Sequence, residues 1–452
     1  MKNINLLKDD IFKLFWKIAL PSSIGTIFQN LYSLVDAVFA GRMISETALA
    51  AIGQTFPIYF IIIALGIGLS IATTSIVANA VGENNLKKAS KIFCQSLFLA
   101  VVVSFIISYL GINYGSTILK SINNDEDTLN LSSQYMNIIY LGSIFILLMM
   151  VTNSCLAALG DTKSYRNVLI FSFFLNIIFN PILITGSIYI YNVFPPLGIS
   201  GIAIATVLSQ FIGLIYLLYK ITKTEIYSNF IKNYFLPKFT LIKEILFQGI
   251  PASIGLMMIA LGSYILLYFV SVFGNNAIAG FASAGRYEQL LFLPLLGLST
   301  AVTSIVGQNL GAKQPERILE TYKKATYTGF FLLVIVGSIL FFTAEISMKL
   351  FTDDEDVIFY GSVYLKIWAF GFPAFPLFFI SNATFQGLKK ATIVMYMAIL
   401  RFVLVPIIII SLINTYITIN YIYMFTGLVI MHWIIGVFYF IYSLQKIKKL
   451  IS

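Results

Sequence analysis

Apolar residues run along this chain in long stretches joined by short polar segments, from near its start to near its end. Many stretches exceed the roughly 18 residues that suggest a membrane crossing. Backbone groups in lipid have no water partner, so a crossing closes its own hydrogen bonds as a helix or joins a closed barrel. Barrel strands alternate apolar and polar positions. The run FFLLVIVGSILFF (330–342) does not alternate, so helices are expected. Twelve spans can be marked, at 13–40, 50–80, 90–112, 131–159, 165–188, 199–220, 243–273, 277–308, 321–344, 358–387, 391–413 and 418–443. Several are longer than a bilayer is thick, which implies tilt or extension into the headgroups.

The polar joints alternate in sign. One set is basic, from Lys87, Lys88 and Lys91 through Lys220, Lys223, Lys238 and Lys243 to Lys389 and Lys390. The other is acidic, with Asp125, Glu126 and Asp127 in one joint and Asp353, Asp354, Glu355 and Asp356 in another. The positive-inside rule then places both termini in the cytoplasm. That arrangement needs an even number of spans, and twelve satisfies it.

The pattern also repeats. GLSIATTSIVANAVG (68–82) aligns with GLSTAVTSIVGQNLG (297–311), and ALPSSIG (19–25) answers GIPASIG (249–255). Corresponding spans start on the same membrane side, so the halves are parallel repeats related by an axis along the membrane normal. The expected fold is an all-α membrane protein of twelve transmembrane helices in two pseudo-symmetric six-helix bundles around a central cleft. The expected division is an N-terminal lobe at 1–222, a cytoplasmic connector at 223–242 and a C-terminal lobe at 243–452.

Composition narrows the function. Only 11% of residues are charged, and the net charge of +10 sits in the short joints, so it reads as a topology signal and not as a nucleic-acid footprint. Two cysteines, Cys94 and Cys155, lie in apolar segments and form no metal-ligand cluster. There is no Gly-rich phosphate loop ending in Lys, and the single histidine, His432, leaves no catalytic triad or metal-hydrolase set. An enzyme is not expected, nor a resident cofactor. The expected partners are small organic solutes and the lipid bilayer, and a monomer is expected.

Charges inside spans are costly, near ~3 kcal/mol each for a central Asp, Lys or Arg, which marks them as functional candidates. Asp36 is the clear acidic case in the first half. Such a carboxylate could load and release a proton, or bind Na⁺ or an organic cation. The alternative is a structural Asp paired with Arg42. Asn176 and Asn180, spaced i, i+4, share a helix face, and Pro181 beside them frees a carbonyl one turn back. They suit an ion or cavity lining, or glue between helices. Pro21, and Pro251 in the matching place, would be hinges or static kinks. Glu288 and Arg401 are expected to form a polar pair in the second half, or to take part in transport.

Several blocks together resemble a known family. LPSSIGTIFQNLYSLVDAVFAGR, then ALAAIG, then GLSIATTSIVANAVG, with AIAGFASAGRYEQLLFLPLLGLSTAVTSIVGQNLGA in the second half, look like the multidrug and toxic compound extrusion (MATE) transporters. LAALGDTK (156–163) and GISGIAIAT (198–206) fit as well. The resemblance implies export of organic, often cationic, multidrug-type compounds in exchange for H⁺ or Na⁺ by alternating access. It points to the prokaryotic branch related to the DNA-damage-inducible F proteins. Carried over residue by residue, it implies an N-lobe ion and substrate site at Asp36, Asn176, Asn180, Tyr140 and Thr206. Relatives often have Asp where this chain has Asn180, which leaves Asp36 as the principal titrating group; Na⁺ at Asp36, Asn176 and Asn180 stays an alternative to H⁺. The alternative function is a lipid-linked precursor flippase of related fold, which would line its cleft with several Arg or Lys; only Arg286 and Arg401 are candidates.

Overall fold

The computed structural model describes residues 4–122, 125–188, 191–416 and 420–451. It is helical apart from a short antiparallel ribbon, β1 (Ser187–Ile188) with β2 (Tyr191–Asn192). The first half contains α1 (Ile11–Phe39), α2 (Glu46–Gly82), α3 (Leu86–Ile122), α4 (Glu126–Ala158), α5 (Lys163–Thr185) and α6 (Ile199–Ile221), followed by the short α7 (Glu225–Ser228). The second contains α8 (Phe239–Val270), α9 (Asn275–Leu291), α10 (Leu293–Gly311), α11 (Pro315–Lys349), α12 (Glu355–Ala369), α13 (Phe375–Gly387), α14 (Ala391–Ile399), α15 (Val405–Tyr416) and α16 (Tyr421–Ile451). Among the described residues ten helical spans are long and apolar enough to cross a membrane, and two bent helix pairs bring the total to twelve if each pair is one span. Residues 417–419, around the expected head of the last span, lie outside the described residues.

The helices overrun the expected spans. The third was marked at 90–112, yet α3 covers Leu86–Ile122. Hydropathy detects only the lipid-facing middle, whereas helical hydrogen bonding continues into the headgroups. The acidic joints turn out to be helix caps. Asp125 accepts from Thr128 N at 2.9 Å at the start of α4, and Asp354 accepts from Val357 N at 3.0 Å at the start of α12. Hydrogen bonds from the Thr128 hydroxyl and backbone hold the Asp125 carboxyl below its usual range.

Prolines explain the two bends. α9 and α10 meet at 45°, with Pro294 second in α10; α12 and α13 meet at 44°, across a 3₁₀ turn, Phe372–Ala374, that contains Pro373. By contrast α1 runs unbroken through Pro21, and α8 through Pro251.

The chain forms two compact units. One is Ile24–Ser253; the other joins the described residues up to Ser23 to those from Ile254 onward. The divisions thus fall inside α1 and inside α8, each two residues after a proline, and the expected connector at 223–242 lies within the first unit. In the other unit the N-terminal segment is stapled by Arg317, which donates to the Leu6 and Asp9 carbonyls, and by Asn309, which donates to Leu6 O at 3.2 Å.

A buried amide helps to hold the connector, beside the buried Ile226 and Lys91 over the Tyr234 ring. Gln95 of α3 donates from Nε2 to the carbonyls of Tyr234 and Leu236, the latter at 2.9 Å, while its Oε1 accepts from Lys238 N at 2.8 Å. Leaving such buried groups unpaired costs about 1–3 kcal/mol each. The Gln95→Leu protein should therefore be cut by added trypsin near Lys238 at least tenfold faster than the wild type; equal cleavage rates would show that the amide is not the latch.

Candidate functional site

Asp36 lies one turn before the end of α1, where the helix widens into a π-helical turn at Ala40–Ile44. Its carboxylate is buried, 5% exposed, and faces α5 and α6. Asn176 and Asn180, one turn apart on α5, each donate from Nδ2 to Asp36 Oδ1 at 2.9 Å. Thr206 of α6 donates from Oγ1 to Oδ2 at 3.0 Å. Asn180 also donates to Asn176 Oδ1 at 3.0 Å, which ties the two amides into one unit. All three donors are fully buried. None of the ion pairs among the described residues includes Asp36, and Arg42 is exposed, so the structural pairing weighed for these two does not form. A carboxylate with three neutral donors and no counter-charge can take up a proton without breaking a salt bridge.

Tyr140 is not part of this group. Its ring packs on α3 at Gly111 and Gly115, and its carbonyl accepts from Ser108 Oγ at 2.7 Å. Tyr135 instead stands near Asp36, with Tyr32 and Tyr59. Five residues on a helix turn the side chain by about 140°, enough to exchange one face for another. The resemblance supplied a helix and a residue type, and the packing chose the other tyrosine.

Asn176 and Asn180 both turn their NH₂ groups toward Asp36, while Asn180 Oδ1 is buried without a hydrogen-bond partner. Among the described residues no three His, Cys, Asp or Glu side chains gather as a metal site. The Asn180→Asp substitution would add a second carboxylate there. It should bind Na⁺ at least tenfold more tightly than the wild type, read as Na⁺-dependent thermal stabilisation of the purified protein; identical Na⁺ titrations would show that Asn180 does not set the ion preference.

In the other unit Glu288 and Arg401 act on each other's charge, but they form no direct ion pair. Glu288 accepts a short hydrogen bond from Tyr364 Oη of α12. The Arg401 guanidinium lies over aromatic rings, 4.1 Å from the centroid of Phe378 and 4.7 Å from those of Phe375 and Phe402. The aromatic faces supply the attraction that a carboxylate was expected to supply. Arg401 sits in a second π-helical turn, Leu400–Leu404, between α14 and α15. His432 of α16 packs against the same rings, 4.5 Å from Phe375 and 4.8 Å from Phe378. Both π-turns adjoin an intramembrane charge, a common feature of functional sites. No hydrophobic pattern announces them, because one extra residue per turn leaves the apolar period almost unchanged.

A family model described as MatE matches residues 21–182 and 251–412. The chain is 29% identical over 384 residues to the probable multidrug resistance protein NorM of Thermotoga maritima, covering 85% of this chain and 80% of that one. It is 27% identical over 374 residues to the FAD transporter of Shewanella oneidensis, covering 80% and 79%. Its fold matches a multidrug resistance MATE family transporter of the MOP superfamily, solved in the outward-facing conformation, with a TM-score of 0.90 at 25% identity over 100% of this chain and 99% of that chain.

Proposed function

The chain belongs to the MATE family of multi-pass membrane transporters, and from that membership we propose that it exports organic solutes in exchange for protons carried on Asp36. Homologues that are multidrug efflux proteins support the efflux role. The single observation that carries the coupling is the buried Asp36 carboxylate, cradled by Asn176, Asn180 and Thr206 and facing no cation. In the charged state Asp36 accepts all three hydrogen bonds. On protonation its OH becomes a donor, which the Thr206 hydroxyl can accept by rotating. That exchange gives the site two hydrogen-bonded arrangements, which is what a coupling site needs if proton occupancy is to bias the states open to either side. Cationic and amphipathic solutes are the first cargo to try. The FAD transporter among the relatives makes aromatic anions the second.

Bacterial relatives support a prokaryotic plasma membrane as the protein's location, and the charge pattern of the joints supports cytoplasmic termini. The decisive measurement is accumulation of a fluorescent cation such as ethidium in inside-out vesicles, with pH and Na⁺ gradients imposed separately. The pH gradient alone is expected to drive uptake. Uptake driven by Na⁺ at equal pH on both sides would overturn the proton assignment.

A further inference from the structure

Three breaks in helical regularity meet in the unit that contains α9 to α16. α9 and α10 bend at Phe292, α12 and α13 break across Phe372–Ala374, and α14 and α15 are separated by the π-turn that holds Arg401. The side chains at these breaks touch. Phe292 packs on Phe372 at 4.8 Å and on Phe375 at 4.3 Å, and Phe375 is one of the rings beneath Arg401. In transporters, irregular backbone inside the membrane is tolerated where it lines a cavity or a binding site.

Polar groups in this cluster lack partners. Arg401 makes no ion pair and no side-chain hydrogen bond with the described residues. The Nε1 of Trp368 is buried without a partner, and so is the Nε2 of His432, whose side chain is 5% exposed. Trp368 and His432 pack edge to face at 5.5 Å. Ring faces satisfy the flat sides of a guanidinium, but its N–H edges need an acceptor. Glu288, held by Tyr364, acts on Arg401 through its charge but makes no ion pair or hydrogen bond with it.

We propose that this cluster is an anion-binding subsite, in which Arg401 grips the carboxylate or phosphate of an aromatic ligand and His432 and Trp368 supply polar contacts beside the aromatic shelf. The inference rests on the export reading above and adds a substrate class to it. The fork of the guanidinium fits either oxyanion in a bidentate way, and the Phe rings offer stacking surface to an attached ring system.

The test is equilibrium binding of fluorescein to the full-length protein in phosphatidylcholine nanodiscs, read by anisotropy, beside rhodamine 6G, a cation of the same ring system. The wild type is expected to bind fluorescein. Arg401→Met is expected to weaken fluorescein at least tenfold and rhodamine 6G less than twofold. If the Met variant is not monodisperse, Arg401→Lys takes its place with the same ordering, since a point charge lacks the planar fork. A second arm adds phosphatidylglycerol to the nanodisc. Competition that disappears with Arg401→Met assigns the anion to a lipid headgroup, and no competition assigns it to the solute. Failure of the wild type to bind fluorescein, or equal fluorescein affinity in wild type and variant, overturns the subsite. The readout needs no gradient, so its failure leaves proton antiport standing, and a failure of antiport leaves it standing.

Discussion

Proton-driven efflux should fall at least tenfold in the Asp36→Asn protein, while the protein still folds. Asn has nearly the shape of Asp but cannot change charge, so it stands in for a carboxyl that is always neutral. The donors at Asn176, Asn180 and Thr206 converge on two oxygens at 2.9, 2.9 and 3.0 Å. An amide has one carbonyl oxygen where two oxygens were used, so Thr206 must rotate its hydroxyl to accept from the new NH₂, and a contact that fails to re-form costs about 1–3 kcal/mol. That is within what a domain of this size tolerates, but the proton cycle is gone. The measurement is ethidium transport in inside-out vesicles under an imposed pH gradient, with the amount of inserted protein matched. Asp36→Glu keeps a titratable group but pushes a methylene into a cradle that has no exposed side, so intermediate transport is expected. Asp36→Asn transporting at the wild-type rate would remove Asp36 from the coupling mechanism.

The largest loss of stability is expected at Gly68 and Gly297, the matching first glycines of the internal repeat. A Cβ on Gly68 of α2 would overlap Ser253 Oγ and stand 2.5 Å from the Gly249 carbonyl of α8. A Cβ on Gly297 of α10 would overlap Ser23 Oγ and the Ala19 carbonyl of α1, and stand 3.1 Å from Ser23 N. Each repeat thus brings the proline-bearing helix into backbone contact with a glycine, close to where that helix passes from one unit to the other. Small residues drive such packing in a membrane, because lipid is as apolar as the side chains and only close approach gains dispersion energy. A carbonyl cannot rotate aside as a side chain can. Gly68→Val and Gly297→Val should each cost about 3 kcal/mol or more, at the severe end for single substitutions. The expected readout is a lower melting temperature and a smaller monodisperse fraction in detergent. Gly68→Ala with Ser253→Gly should recover only part, since the Gly249 carbonyl stays in place. Gly53→Ala is the control: nothing lies within 4 Å of its Cβ position, and Ala is the better helix former. Equal melting temperatures for Gly68→Val and Gly53→Ala would show that the close approach carries no stability.

Much of the architecture was legible in the sequence, for a definite reason. A backbone in lipid has almost no choice but helix, so apolar run length alone marks the spans, and the paired glycine-rich blocks mark the repeat. The i, i+4 spacing of Asn176 and Asn180 placed two amides on one face, and that face is the one toward Asp36. Tyr140 shows the limit. Its helix and chemistry suited the site, yet the space on α3 at Gly111 and Gly115 took it. Glu288 and Arg401 show the same limit from the other side. Opposite charges in one bundle suggested a pair, but Tyr364 reached the acid and three phenylalanines reached the base.

The sequence by itself determined the number of apolar spans, their tandem repetition, and the presence of one acid in the first of them, because these depend on properties that each residue carries wherever it sits. Tertiary structure alone decided that Asp36 has three neutral donors and no cation, that Arg401 rests on rings with its N–H edges unmet, and that α1 and α8 each belong to both compact units. These depend on which faces of distant helices come within about 3–4 Å, and a helical period fixes the direction a side chain points but not what waits there.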